Sequence, residues 1–523
     1  MPRHTGLMVP LFSTWSTAGW GIGEFPDLVP LAAWSASAGF DRVMLLPFST
    51  LPDGVTSPFS AMTAMAIDPG YIRVDRVEDF ERAGGMAALS EETRLDLHRA
   101  QSATRVHYDA VRRAKHDALA LAFQRFHDDE WIALTPRAAA LAAYIARERW
   151  WLDDYALYAS LARATGRSDW RDWPPPLRDR EPAAIETARR QLAREILQQQ
   201  YWQWLAESQW QEARRASREC GVTVFGDLPF MVSANGPDVW TRPGEYLFDV
   251  SLGVPPDAFS ETGQDWNAPT YHWHAIAATD YAWIKARARR MAALFDGYRV
   301  DHLVGLYRTY GRPRNLAPPF FNPATEPEQV RQGERILQIL LDSGATIVAE
   351  DLGVVPDFVR ASLERLGVPG SKVLRWERRW NEPEMPFIDP ARYPEVSAAM
   401  TGTHDTETLA AWWMGAPPDE RQAIAAVLAT AGHAAVDPAQ PWSAGVRDAL
   451  LGAMYAAGSR ELFLPVQDVF GWPDRINVPA IVSDDNWTWR LPWPIDRWAE
   501  TPAAIERAAF CARQTALRRA PGP

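Results

Sequence analysis

Short apolar runs alternate with long helical patterns along this chain, and that alternation leaves few folds open. The runs are Gly6–Phe12 (GLMVPLF), Arg42–Pro47 (RVMLLP), Val222–Asp227 (VTVFGD), Gly297–Asp301 (GYRVD), Ala345–Glu350 (ATIVAE) and Val396–Thr401 (VSAAMT). They read as strands of a βα fold. Several end on a charged or polar residue, and in a parallel sheet the strand ends are where sites form. Between the second and third runs, Ala103–Phe126, Arg137–Ala164 and Pro182–Cys220 read as helices from their period and composition, with Trp170–Pro176 (WRDWPPP) as a break. The expectation is an α/β barrel carrying a helical insertion at 73–215. A length of 523 residues fits such a barrel with insertions as a single domain, 1–523.

Composition narrows the partners. Lys plus Arg number 54 and Asp plus Glu 66, so the net charge is −12. Nothing electrostatic draws such a chain to nucleic acid or to an anionic membrane. A hydrophobic content of 47% excludes wholesale disorder. No apolar run reaches the length of a membrane span, and Pro10, Ser13, Thr14 and Ser16 interrupt the N-terminal segment where a signal peptide would need an apolar core. Two cysteines, Cys220 and Cys511, make no disulfide framework. The reading is a cytoplasmic protein. The 25 tryptophans are unusual. Some belong in the core, and the surplus suits a cleft that stacks the flat faces of sugar rings.

Three acids stand at strand ends. Asp301 closes the Gly297 run, and Arg299, two residues earlier, shares its face of the strand and holds the carboxylate ionised and oriented. Glu350, followed by Asp351, closes the Ala345 run, and Asp405 follows the Val396 run in Thr401-Gly402-Thr403-His404-Asp405. Retaining glycosyl transfer requires one carboxyl as nucleophile and a second as acid and then base. A third carboxylate that holds sugar hydroxyls adds to transition-state stabilisation. Asp301, Glu350 and Asp405 meet that specification.

With these residues in place the chain resembles glycoside hydrolase family 77, the 4-α-glucanotransferases called amylomaltase or disproportionating enzyme. The likeness runs from Trp20-Gly21-Ile22-Gly23-Glu24 to Asn486-Trp487-Thr488-Trp489-Arg490-Leu491. Its most specific segments are Phe225–Phe230 (FGDLPF), Gly253–Asn267 (GVPPDAFSETGQDWN), Arg299–His302 (RVDH), Ala349–Gly353 (AEDLG), Gly367–Leu374 (GVPGSKVL) and Thr401–Asp405 (TGTHD). The resemblance implies a (β/α)8 TIM barrel with inserted and loop subdomains. It implies Asp301 as nucleophile, Glu350 as acid/base and Asp405 as transition-state stabiliser, acting on malto-oligosaccharides and α-1,4-glucans with neither metal nor organic cofactor. It also implies substrate contacts from Arg299, His302, His404, Ser57, Phe59, Trp266, Asp351 and Asn486. Gly253–Asn267 matches a loop overhanging the acceptor side, and Ser57-Pro58-Phe59 a loop closing on the donor glucose. Phe59 and Ala258 stand where the family usually has Tyr.

Other features have plainer readings. The pair His272 and His274 lacks a third metal ligand of suitable spacing. Gly19–Gly23 reads as a turn and not as a phosphate loop, since no Lys accompanies it. Trp150-Trp151 and Tyr201-Trp202-x-Trp204 read as helix packing, Cys220 as a small core residue, and Lys285, Arg287, Arg289 and Arg290 as a solvated helix face. A retaining α-glucan hydrolase on the same scaffold would share every catalytic residue. A silent glucan-binding or regulatory protein would not need all three acids.

Overall fold

The computed structural model describes residues 2–256, 262–479 and 481–520. Among them lie twelve strands: β1 His4–Met8, β2 Arg42–Met44, β3 Thr223–Leu228, β4 Tyr246–Val254, β5 Gln264–Tyr271, β6 Gly297–Val300, β7 Thr309–Pro313, β8 Phe320–Asn322, β9 Thr346–Ala349, β10 Gly370–Val373, β11 Ser397–Met400 and β12 Glu461–Pro465. β1, β2, β3, β6, β9, β10, β11 and β12 close a barrel in that order, each parallel to its neighbours. All six runs read from the sequence contain barrel strands. β10 and β12 were not read. β10 is Gly-Ser-Lys-Val, with no apolar run, and β12 begins on a charged Glu461.

Tertiary pairing accounts for that charge. Arg42 on β2 forms an ion pair with Glu461 inside the barrel, and its guanidinium lies 4.7 Å from the Phe225 ring centroid. Above this pair Met44, Phe225, Val348, Val373, Met400 and Phe463 fill the interior. Large faces small in register. Gly6 pairs with Phe463, and a Cβ at Gly6 would meet that ring at 2.5 Å. A second, antiparallel sheet in the order β5, β4, β7, β8 is spun from the connections either side of β6. The segment Gly253–Asn267, expected as a loop, is therefore the end of one strand and the start of the next, and Ala258 lies outside the described residues.

The region between β2 and β3 is helical, as read. It includes Glu91–Ser102, Tyr108–Phe126 and Pro136–Thr165. The expected helix Pro182–Cys220 is two, Pro182–Gln191 and Ala193–Glu219, broken at Leu192. The second packs on Pro136–Thr165, and also on β3 and the helix Leu28–Ser37, so it belongs to the barrel as much as to the insertion. The Trp/Pro-rich C-terminal stretch closes over the N-terminus. Leu491 N–H donates to Ser13 O at 2.8 Å, Ile495 N–H to Trp15 O at 2.7 Å, and Trp34 meets Trp498 edge-on at 4.8 Å. Most of the tryptophans serve as packing, and Trp266 and Trp380 are the ones exposed among the described residues. Trp151, Tyr201 and Trp202 are core. The basic cluster is not the solvated face expected of it. Arg287 and Arg290 are buried, Arg290 on Glu207 and Arg287 on the carbonyls of Pro229 and Phe230. Cys220 and Cys511 are both free thiols. No described helix is long and apolar enough to cross a membrane.

A buried charge cluster fastens the insertion to the barrel. Lys115 Nζ donates to Glu24 Oε1 at 2.6 Å and to the carbonyls of Gly70 and Ile72. Arg73 pairs with Glu24 and Asp27 and donates to Ser16 Oγ at 2.7 Å. The glycine turn just upstream lets this segment approach. Gly21 has φ +88, and a Cβ there would meet the Ala100 backbone at 2.6 Å. Two acids and two bases balance in an anhydrous site, so removing one partner strands the others. Lys115→Met is expected to lower the unfolding free energy by about 3–5 kcal/mol, read from the urea midpoint. A loss below about 1 kcal/mol would mean that the cluster is not the fastening.

Candidate active site

The site stands at the carboxyl ends of the barrel strands, built around Arg299. β3 and β6 pair so that Asp227 lies beside Arg299, and β6 and β9 so that Arg299 lies beside Val348. Alternation along β6 then sets Asp301 on the face of Arg299. The ends of β6 and β9 are laced by backbone bonds, Glu350 N–H to Val300 O at 3.0 Å and Leu303 N–H to Glu350 O at 3.2 Å.

Three carboxylates converge on the Arg299 guanidinium, which is buried. Nη1 donates to Asp227 Oδ2 at 2.6 Å and to Asp301 Oδ1 at 3.2 Å, and Nη2 lies 3.3 Å from Glu350 Oε2. Burial opposes the charge on Arg299, yet the surrounding acids raise its pKa above the ordinary value. The second oxygen of Asp301 accepts from Phe230 N–H at 3.3 Å. Arg287 Nη2 donates to Pro229 O, the carbonyl of the same peptide unit, and Arg287 Nη1 and the Tyr271 hydroxyl donate to Phe230 O, so a buried arginine behind the Phe225–Phe230 segment fixes the amide that orients Asp301. Asp227 was quoted within that segment but not picked out as a site residue. Arg287 carried no signal, because a basic run on a helix looks solvated until its packing is known.

Glu350 accepts the His302 N–H at 2.5 Å. His302 adopts the left-handed conformation, φ 44, uncommon for residues other than glycine. Burial pushes the Glu350 carboxyl up to about 7. Arg299 acts against this, and Asp301 adds to it. The raised value therefore comes first from desolvation and only second from neighbouring carboxylates. Asp227 is likewise pushed up to about 7 by burial.

Asp405 is the opposite case. Burial resists its ionisation, but His404 Nε2 at 3.3 Å and Asn477 Nδ2 at 2.7 Å hold it well below the usual carboxylate range. Arg475 donates to the Asp405 carbonyl at 2.9 Å. Asn477 and Arg475 were both missed, since they lie some 70 residues downstream of Asp405 with no spacing to tie them to it. The two histidines also diverge. Burial lowers His302 to about 4, so it is neutral, whereas Asp405 outweighs burial and raises His404.

Aromatic rings frame these groups. Phe59 stacks on His404 with centroids 4.8 Å apart, and Trp487 lies tilted beside them at 5.8 Å from Phe59 and 5.7 Å from His404. Ser57 precedes the short 3-10 turn Pro58–Ser60 that presents Phe59, and its carbonyl accepts Ser60 N–H at 3.1 Å. On the other side Trp266, on β5, meets His302 edge-on at 4.9 Å. Two of the expected substrate contacts also make structural bonds. Asp351 accepts Ser371 N–H at 2.6 Å and clasps the start of β10. Asn486 accepts from Val478 N–H at 3.0 Å and donates to Ile481 O at 2.8 Å. The ring of His272 faces the Gly244 carbonyl at 3.2 Å.

Residues 9–496 match glycoside hydrolase family 77, described as 4-alpha-glucanotransferase. The 4-alpha-glucanotransferase of Thermus thermophilus is 34% identical over 401 residues, covering 74% of this chain and 77% of that protein. That of Chlamydia pneumoniae is 28% identical over 503 residues, covering 94% and 91%. The fold is that of the amylomaltase from Streptococcus agalactiae solved in complex with acarbose, with a TM-score of 0.82 at 23% identity and 99% of both chains covered. A closed parallel barrel, an acid at the end of each of three strands, and a family match across nearly the whole length agree: the chain belongs to glycoside hydrolase family 77, the 4-alpha-glucanotransferases.

Proposed function

We propose that this 4-alpha-glucanotransferase moves α-1,4-glucan segments between malto-oligosaccharides by double displacement through a covalent glycosyl-enzyme. The observation that carries the reading is the division of labour among carboxyls held by one guanidinium. Asp301, oriented by Arg299 and the Phe230 amide, attacks the anomeric carbon. Glu350, pushed up to about 7, retains a proton near neutral pH and gives it to the departing 4-oxygen. The carboxylate–sugar ester then holds the donor. The 4-hydroxyl of an acceptor glucan attacks the same carbon, Glu350 takes its proton, and Asp301 is released, so two inversions retain the α configuration. Asp405, ionised by His404 and Asn477, holds ring hydroxyls and faces the positive charge that develops on the sugar.

His404 under Phe59 contributes further contacts to the donor sugar, and Ser57 positions the turn that carries the ring. Neutral His302 and the exposed face of Trp266 receive the acceptor, where stacking raises its local concentration against water. Asp351 and Asn486, while also anchoring β10 and the backbone of Val478 and Ile481, add polar contacts to the glucan. We take residues 1–523 as one catalytic barrel domain, with 73–215 as a helical accessory and the cytoplasm as its place of action.

Incubation with maltotriose tests the reaction. Glucose plus a ladder of longer oligomers is the expected outcome, and glucose with maltose alone would make the protein a hydrolase. Asp301→Asn is expected to lower turnover about a thousandfold or more with the fold intact, and retention of a substantial share of activity would remove Asp301 as nucleophile. The role of Glu350 is read from pH. Because its pKa is raised, the protonated form is lost as pH rises through about 7, so kcat/KM for maltotriose falls on that side. With α-glucosyl fluoride, whose leaving group needs no proton, that limb is expected to vanish. An equal limb with both donors would take the acid role from Glu350.

A further inference from the structure

One cavity is lined by Met44, Met400, His404, Asp227, Arg299 and Gln467. Gln467 follows β12, in the short helix Val466–Phe470. Its direction is fixed by its neighbour, since Asp468 accepts from the Thr401 hydroxyl and from Leu409 N–H at 2.7 Å. Gln467 is 2% exposed, yet its Oε1 has no hydrogen-bond partner among the described residues. Asp227, 3% exposed, bonds Arg299 through Oδ2, while Oδ1 also lacks a partner among those residues. Both residues line the cavity, and each buried polar atom left without a partner asks for one from whatever fills it.

We propose that Gln467, with Asp227, reads one ring or hydroxymethyl hydroxyl of the glucosyl unit being transferred, and so helps set which sugars serve as donor. The proposal rests on the reading of Asp301 as nucleophile, since Arg299 joins Asp227 to that carboxylate. The chemistry favours a hydroxyl over other occupants. Arg299 already takes Asp227 Oδ2, and no group of side chains that could hold a metal ion is gathered among the described residues. A hydroxyl can both donate and accept, which suits a carboxylate oxygen on one side and either end of an amide on the other. Sites built to bond a buried hydroxyl discriminate strongly against analogues that lack it, because their own groups are then left unpaired.

The test compares kcat/KM for fluoride release, with maltose as acceptor, on α-glucosyl fluoride and its 2-, 3- and 6-deoxy analogues. Wild type and Gln467→Met are each measured on all four, so every donor is its own reference and its intrinsic reactivity cancels. Gln467→Met is expected to lose about tenfold or more on α-glucosyl fluoride and on two of the analogues, but less than about threefold on the one that lacks the hydroxyl it reads. Gln467→Ala carries the same expectation should the Met variant fail to fold. If all four donors fall by one common factor, or none falls, the orphaned atoms serve only a buried water or the packing, and the proposal is overturned. If wild type and Asp301→Asn turn over α-glucosyl fluoride alike, the nucleophile assignment fails instead, which keeps the two failures apart.

Discussion

The Arg299 guanidinium, buried among Asp227, Asp301 and Glu350, is the interaction on which the rest of the site depends. Carboxyls gathered this closely in a largely buried barrel mouth resist ionising together without a fixed positive charge, and arginine is the one side chain that cannot escape by losing its proton. Its planar fork also gives direction, with Nη1 serving Asp227 and Asp301 and Nη2 facing Glu350. The parallel register does the placing. Asp227, Arg299 and the start of the β9 end lie side by side because β3, β6 and β9 are in step, so the charge constellation follows from the sheet and not from the loops.

Around that cation the site separates otherwise similar groups by environment. Glu350 is pushed up by desolvation, while Asp405, held by His404 and Asn477, stays anionic. His302, packed between Phe230 and Trp266, is neutral, while His404 is raised by its own acid. One carboxyl that keeps a proton near neutrality and one that never does are what acid catalysis and charge stabilisation separately require.

The elements above the barrel belong to the same construction. The antiparallel sheet that carries Trp266 comes from the connections either side of β6, the strand that Asp301 follows, so Trp266 and Asp301 share one foundation. Arg287 links that foundation to the Phe225–Phe230 segment and through its amide to Asp301. The insertion is tied in separately, by Lys115 and Arg73 on Glu24, and its last helix lies on the barrel itself.

Much of this was legible in the residues alone. Strands with an apolar run announced themselves, and acids at their ends followed because a parallel barrel turns every strand end to one face. The pairing of Arg299 with Asp301 could be read because both lie on one strand, two residues apart. What the sequence could not supply were relations between distant segments. β12 was hidden because its first residue, Glu461, is charged, and only its ion pair with Arg42 across the barrel makes that burial tolerable. Asn477 had no local pattern joining it to Asp405. The tryptophans suggested stacking surfaces but went mainly to packing, and Arg287 and Arg290 looked solvated until their carbonyl and carboxylate partners were in place. Asp351 and Asn486 lie next to site residues in sequence, yet their polar atoms bond the backbone of β10 and of Val478 and Ile481. Periodicity and spacing are local, so the sequence by itself determined six of the eight barrel strands, the acids at their ends and the family. Burial, partner and charge state arise from contacts made across hundreds of residues, and only the tertiary structure decided those.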